Sequence, residues 1–193
     1  SLLSAALTEV VHYCGLPMYS TSGCTDTKKM DVQSAMEASL SINAAMMSGA
    51  NFVHDNGYTE SGLTGDIFQT VMDDEIISMA RVIERGIEVN EETLAVEQIN
   101  NVGPGGHYLY EDHTMKWFRK HWMPTLMDRN SYENWEAQGR KTMKDRVLEK
   151  TRDLIKNHEG PRSKVPAQAD KEIERILEDA EERIRKEEPQ KQA

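Results

Sequence analysis

The chain has 193 residues, room for one domain, and a net charge of −10, which excludes the basic surface that nucleic-acid binding needs. No stretch approaches the roughly 18 apolar residues of a membrane-crossing helix, so no membrane contact is expected. The two cysteines, Cys14 and Cys24, lack C-x-x-C spacing and suit a reducing, cytoplasmic setting.

The sequence starts with Ser inside an apolar helical pattern, so it reads as a piece of a longer protein. Leu2, Leu3, Ala6, Leu7, Val10 and Val11 form a stripe that predicts a helix from Ser1 to Tyr13, ended by Cys14-Gly15. Leu16 to Ser20 predicts a short strand, and the polar stretch Thr21 to Lys29 a loop at its carboxyl end. Asp31 to Ser48 predicts a second helix with Val32, Ala35, Met36, Leu40, Ala44 and Met47 on one side and Asp26 or Asp31 as N-cap. The 11 methionines sit mostly at helical spacing and read as core filler.

Asn51 to Gly65 organises the rest. Phe52-Val53 is apolar, His54-Asp55 turns polar at once, and Gly57, Gly62 and Gly65 follow, with Glu60 and Ser61 between them. That order predicts strand, polar strand end, Gly-rich loop and then a helix from Asp66 to Glu84, with Ile67, Val71, Ile76, Met79, Ala80 and Ile83 facing inward. Two strands joined by a helix make a right-handed unit with parallel strands, and ligands bind at the carboxyl ends of such strands.

After Arg85-Gly86 the strand signal stops. Short helices are predicted from Asn90 through Val102 and from Asp112 to Trp122, the second rich in aromatics. Gly103 to Gly106 reads as a structural turn, because it lacks the Lys-Ser/Thr of a phosphate loop. A longer helix is predicted from Ser131 to Asn157, a break at Gly160-Pro161, a charged helix from Ala169 to Lys186, and a disordered tail from Glu187. Two strands alone would expose both faces and both edges. The expected fold is therefore α/β: residues 1–89 as the last units of a (β/α)8 barrel, 90–160 as a helical extension, and 161–193 as a charged helix and tail.

Five blocks occur in order: Tyr13-Cys14-Gly15-Leu16-Pro17, Gly23-Cys24-Thr25-Asp26-Thr27-Lys28, Gly49-Ala50-Asn51-Phe52-Val53-His54-Asp55, Glu60-Ser61-Gly62, and Val102 through Leu109. Together they resemble the C-terminal part of the trimethylamine methyltransferase family. The resemblance implies a (β/α)8 barrel that moves a methyl group from trimethylamine, or from a quaternary amine such as glycine betaine, to the Co(I) of a cobalamin-type corrinoid carried by a cognate protein. It also implies positioning as the main catalytic contribution. The aromatics Trp117, Phe118 and Trp122 and the charged last helix point to an extension that packs subunits into a homo-oligomer or docks the corrinoid protein, with packing onto the chain's own helices as the alternative. Some members carry pyrrolysine; none is written here, so it either falls outside these residues or is absent from this member. The rival readings are a barrel enzyme without corrinoid and a non-enzymatic binding module for betaine-like solutes.

His54 is the candidate catalytic and substrate-holding residue, its side chain expected at the barrel mouth; a core histidine is the alternative. Asp55 is expected on the other side of the strand, bracing the loop. Asp26 and Glu60 are loop carboxylates suited to a quaternary ammonium, with capping or solvent roles equally open. Tyr58 and Phe52 offer aromatic faces for a methylated cation. Cys24 reads as a small buried residue, and His12, His113, His121 and His158 as structural; no metal site is expected.

Overall fold

The computed structural model describes residues 1–158 and 166–187. The chain divides into two units, Ser1–Lys156 and Asn157–Ala193. The first is α/β and dominated by helices, with few strands. Helix α1, Leu2–Tyr13, leads to strand β1, Tyr19–Thr21; helix α2, Val32–Met47, leads to strand β2, Phe52–His54. The two strands pair in parallel, as the pattern predicts, with Tyr19 opposite Phe52, Ser20 opposite Val53 and Thr21 opposite His54. Asn51 ties the start of this pair together. Its Oδ1 accepts the Met18 N–H at 2.8 Å and lies 3.0 Å from His12 Nε2 on α1.

Where the sequence reads a plain loop, the chain folds a two-residue antiparallel ladder. Strand β3, Tyr58–Thr59, pairs with β4, Thr64–Gly65, around a tight turn at Glu60–Gly62. Helix α3, Ile67–Arg85, follows. Asp66 caps it by accepting the N–H groups of Phe68 and Gln69, and Gly86 closes it at φ +69°. Among the described residues no strand follows.

Helix α2 begins at a reciprocal cap between Asp31 and Ser34, which settles the choice between Asp26 and Asp31. Its buried face is Ser34, Ala38, Ile42 and Ala45, while Val32, Met36, Leu40 and Met47 stay exposed. The small residues allow close approach to α3 around Ile42, and Val32, Met36, Leu40 and Met47 are left outside. The inward face of α3 also differs from expectation. Ile76 and Ala80 are buried, but Ile67 and Ile83 are exposed, and Gln69, Asp73 and Glu75 are buried instead. The core joins Met30, Ala38, Ile42, Met72, Ile76, Ala80, Leu126 and Val147.

Short helices α4, Glu91–Leu94, and α5, Val96–Val102, are separated by Ala95 in a left-handed conformation. Helix α6, Asp112–Trp117, ends in a single 3-10 turn over Phe118–Lys120. The long helix predicted from Ser131 is two: α7, Tyr132–Ala137, and α8, Met143–Lys156. Gly139 at φ +89° and Arg140 at φ +55° break it, and Thr142 and Asp145 cap α8 reciprocally. Of the second unit, helix α9, Ala167–Glu187, is described. It is laced by pairs of Arg175 with Glu172 and Asp179. The predicted break at Gly160-Pro161 and the tail beyond Glu187 lie outside the described residues.

Candidate functional site

Period-two alternation places Tyr19, Phe52 and His54 on one face of the β1–β2 pair. Their rings form a continuous row: Tyr19 stacks on Phe52 with centroids 5.0 Å apart and on His54 at 4.3 Å, with interplanar angles of 9° and 14°. Tyr19 and Phe52 are 61% and 59% exposed, so the row is an open aromatic face, not core. On the opposite face Ser20 is buried.

Asp55 does not point away from His54. Its backbone is left-handed, φ 73°, which swings the carboxylate back so that Oδ1 lies 2.6 Å from His54 Nδ1. An acceptor at that distance holds a proton on Nδ1 and leaves Nε2 as the ring's other hydrogen-bonding atom. Glu60 and Ser61 are also left-handed, at φ 52° and 54°. Three non-glycine residues in this region within one loop mark a backbone held by its surroundings.

Those surroundings are the β1 loop and α3. The N–H groups of Thr25, Glu60 and Ser61 donate to Tyr58 O, Thr27 O and Thr25 O at 3.0, 2.7 and 2.9 Å, zipping the two loops together. Asp26 accepts the Ser61 hydroxyl at 2.7 Å, and Glu60 accepts the Thr64 hydroxyl at 3.1 Å. From below, Asp73 accepts the Gly57 N–H and the Gln69 side-chain amide, both at 2.7 Å. Burial pushes the Asp73 carboxyl up to about 6, with Asp66 adding to the rise and the two hydrogen bonds opposing it.

The structure therefore brings His54 and Asp55 into direct contact and ties Asp26 to the same loop pair, whereas Tyr58 and Glu60 belong to the β3–β4 hairpin. The Tyr58 ring is half-exposed and joins no ring stack among the described residues. Cys24 shares a depression of about 330 Å³ with Thr21, Ser22, Asp26, Glu37 and Ser41. Burial raises its thiol pKa, and the charges of Asp55, Asp26 and Glu37 raise it further, so it is a poor nucleophile. Tyr19, Glu37 and Asp73 were not singled out from sequence. Tyr19 is a β-prone residue in a predicted strand, a signal that could have been followed; Asp73 looks like any acid on an amphipathic helix.

The sequence profile described as trimethylamine methyltransferase matches residues 1–186. The chain belongs to this family. It is 36% identical over 158 residues to a trimethylamine methyltransferase of Methanosarcina barkeri, covering 82% of this chain and 32% of that protein. A second trimethylamine methyltransferase, from Methanosarcina mazei, is 34% identical over 181 residues, 93% of this chain and 36% of that protein. A glycine betaine methyltransferase of Desulfitobacterium hafniense is 32% identical over 179 residues, 92% of this chain and 36% of that protein. The chain spans about a third of the length of the curated relatives it matches. Among the described residues no helix is long and apolar enough to cross a membrane, and no group of three or more His, Cys, Asp or Glu could hold a metal ion.

Proposed function

We propose that this segment supplies the last units of a (β/α)8 barrel that transfers a methyl group from a methylated amine to the Co(I) of a cognate corrinoid protein. The observation that carries the reading is the open row Phe52–Tyr19–His54, which runs along one face of two parallel strands and reaches a carboxyl end at His54. A methylated ammonium is a diffuse cation, and stacked ring faces attract it while displacing water. The corrinoid is a substrate carried by the partner and supplies the nucleophile that accepts the methyl. The C–N electron pair leaves with the nitrogen, so this chain has to position the amine and exclude water.

The His54–Asp55 pair sets the amine's polar contact. With the proton held on Nδ1, Nε2 accepts, and a protonated trimethylamine offers one N–H to it. A quaternary amine offers none and rests on the ring faces and on the loop carboxylates Asp26, Asp55 and Glu60. In this reading residues 1–89 are barrel, 90–160 an extension and 161–193 a charged appendage, the last two serving corrinoid-protein docking or assembly with further copies.

The test is direct. Cobalamin in the Co(I) state, mixed with the protein and a panel of methylated amines, should show the spectral change to methylcobalamin for trimethylamine or a quaternary amine. His54→Ala should slow that change about tenfold, a loss of about 1.4 kcal/mol of transition-state stabilisation. No spectral change with any amine, or a wild-type rate in His54→Ala, rejects the assignment.

A further inference from the structure

We infer that Asp73 is a positioning residue that sets the His54–Asp55 corner from beneath, through Gly57; the inference rests on the reading of that corner as the amine site. The side chain of Asp73 is fully buried on α3 and touches neither the aromatic row nor His54 through any hydrogen bond. Its reach is through the backbone. Asp73 Oδ2 takes the Gly57 N–H at 2.7 Å, and the Asp66 N–H donates to the Gly57 carbonyl at 2.8 Å. Both backbone polar groups of Gly57, one from each of the peptide units that flank its Cα, are thus held by the cap and second turn of α3.

Gly57 lies tight against α3. Its φ is +85°, and an added Cβ would lie 2.0 Å from Thr70 Oγ1, so the loop is packed directly onto the helix. The Tyr58 N–H returns to the Asp55 carbonyl at 3.4 Å, closing a turn over residues 55–58. Fixing Gly57 therefore fixes Asp55 at its left-handed φ of 73°, and that conformation is what lays the carboxylate on His54 Nδ1. The chain of contacts runs Asp73, Gly57, Asp55, His54.

The partner of Asp73 is built for a neutral carboxyl as well as an ionised one. Gln69 Nε2 donates to Asp73 Oδ1 at 2.7 Å, while Gln69 Oε1 is buried without a partner among the described residues. Turning the amide over presents Oε1 to Asp73, where it accepts from a protonated carboxyl or from the amide introduced by Asp73→Asn. The carboxyl pKa of about 6, raised by burial, is consistent with that dual use. Asp73→Asn thus keeps an acceptor for Gly57 and a donor for Gln69, whereas Asp73→Ala removes the acceptor and leaves the Gly57 N–H orphaned.

The experiment compares Asp73→Ala, Asp73→Asn and Gln69→Met by NMR in the whole protein. Two readouts are structural: hydrogen-exchange protection of the Gly57 amide and the ¹⁵N shifts that report the His54 tautomer. The third is affinity for trimethylamine and for glycine betaine. Asp73→Ala should cut Gly57 protection by about tenfold or more and mix the His54 tautomers. Amine affinity should fall in step. Asp73→Asn should restore all three, and Gln69→Met should give a smaller loss of protection in a folded protein. If Asp73→Ala does not fold, Gln69→Met carries the same comparison. Wild-type protection and tautomer in Asp73→Ala, or in Gln69→Met where only that variant folds, overturn the inference, as does an Asp73→Asn variant as impaired as Asp73→Ala. Absence of amine binding by the wild type instead rejects the site reading, and the two structural readouts then decide the role of Asp73 alone.

Discussion

Two carboxylates two residues apart on α3 capture two different stretches of chain, and the contrast shows what sets the character of a buried acid. Asp73 holds the site loop through one backbone N–H and one side-chain amide. Glu75 holds the segment before α7 through the N–H groups of Thr125, Leu126 and Met127 and the Thr125 hydroxyl. Burial raises both. At Asp73, the more deeply buried of the two, two donors do not offset it and the carboxyl is pushed up to about 6, whereas at the shallower Glu75 four donors outweigh burial and the pKa is lowered. A buried acid with a full set of donors is a permanent anchor. One with a partial set is poised between protonation states, and here it is the one beneath the candidate site.

The strongest break in this comparison is Glu75→Ala. It leaves three backbone N–H groups around a buried hole, and stability should fall by about 4 kcal/mol in urea unfolding. Glu75→Gln, which keeps an acceptor, should lose less than half as much.

Gly57→Ala comes next. The new Cβ meets Thr70 Oγ1 and the φ of +85° disfavours any side chain, so about 3 kcal/mol should be lost. Adding Thr70→Ala should recover the steric part and leave the backbone part, which a double-mutant cycle separates.

The pH profile sharpens the contrast without disrupting either anchor. Asp73 has a folded pKa of about 6 against an ordinary 3.8, so the folded state keeps a proton that the unfolded chain releases. Its contribution to stability is full below about pH 4 and is lost as pH rises through about 6, a change of about 3 kcal/mol. Glu75 has the opposite sign. Its contribution is present above its ordinary 4.5 and is lost as pH falls through its lowered folded value. Urea midpoints against pH should lose the limb between about 4 and 6 in Asp73→Asn, and part of the acid limb in Glu75→Gln.

The smallest effect is the exposed control. Glu92 accepts from Lys116 and from the Trp117 indole, and its pKa is lowered chiefly by Lys116, yet it lies on the surface. Lys116→Ala should leave the urea unfolding midpoint almost unchanged, and any small shift should shrink further at high salt.

Much of the local structure of the candidate site was legible in advance because the features are local. An apolar pair that turns polar at His54-Asp55 and then runs into glycines announces a strand end, and a strand end in a parallel unit is where ligands bind. The aromatics at 117, 118 and 122 were harder to read. Trp122 donates to Ser78 on α3 at 2.8 Å and Trp117 to Glu92, so two of the three are held by their own chain, and only Phe118 is largely exposed. The break between α7 and α8 was missed because the helical period runs across it, whereas Gly139 and Arg140 adopt left-handed conformations that no periodicity reveals.

By itself, the sequence determined the order of α1, β1, α2, β2 and α3, the parallel pairing of the two strands, a choice of Asp26 or Asp31 as the cap of α2, and membership of the family, because periodicity, capping and motif order are properties of neighbours along the chain. Only the tertiary structure decided which face of α2 is buried, that Asp55 turns back onto His54, that Tyr19 lies between Phe52 and His54, and that Asp73 grips Gly57. Each of these depends on groups remote in sequence or on a left-handed backbone that packing imposes. A buried carboxylate and a solvated one are the same letter until the fold supplies the donors around it.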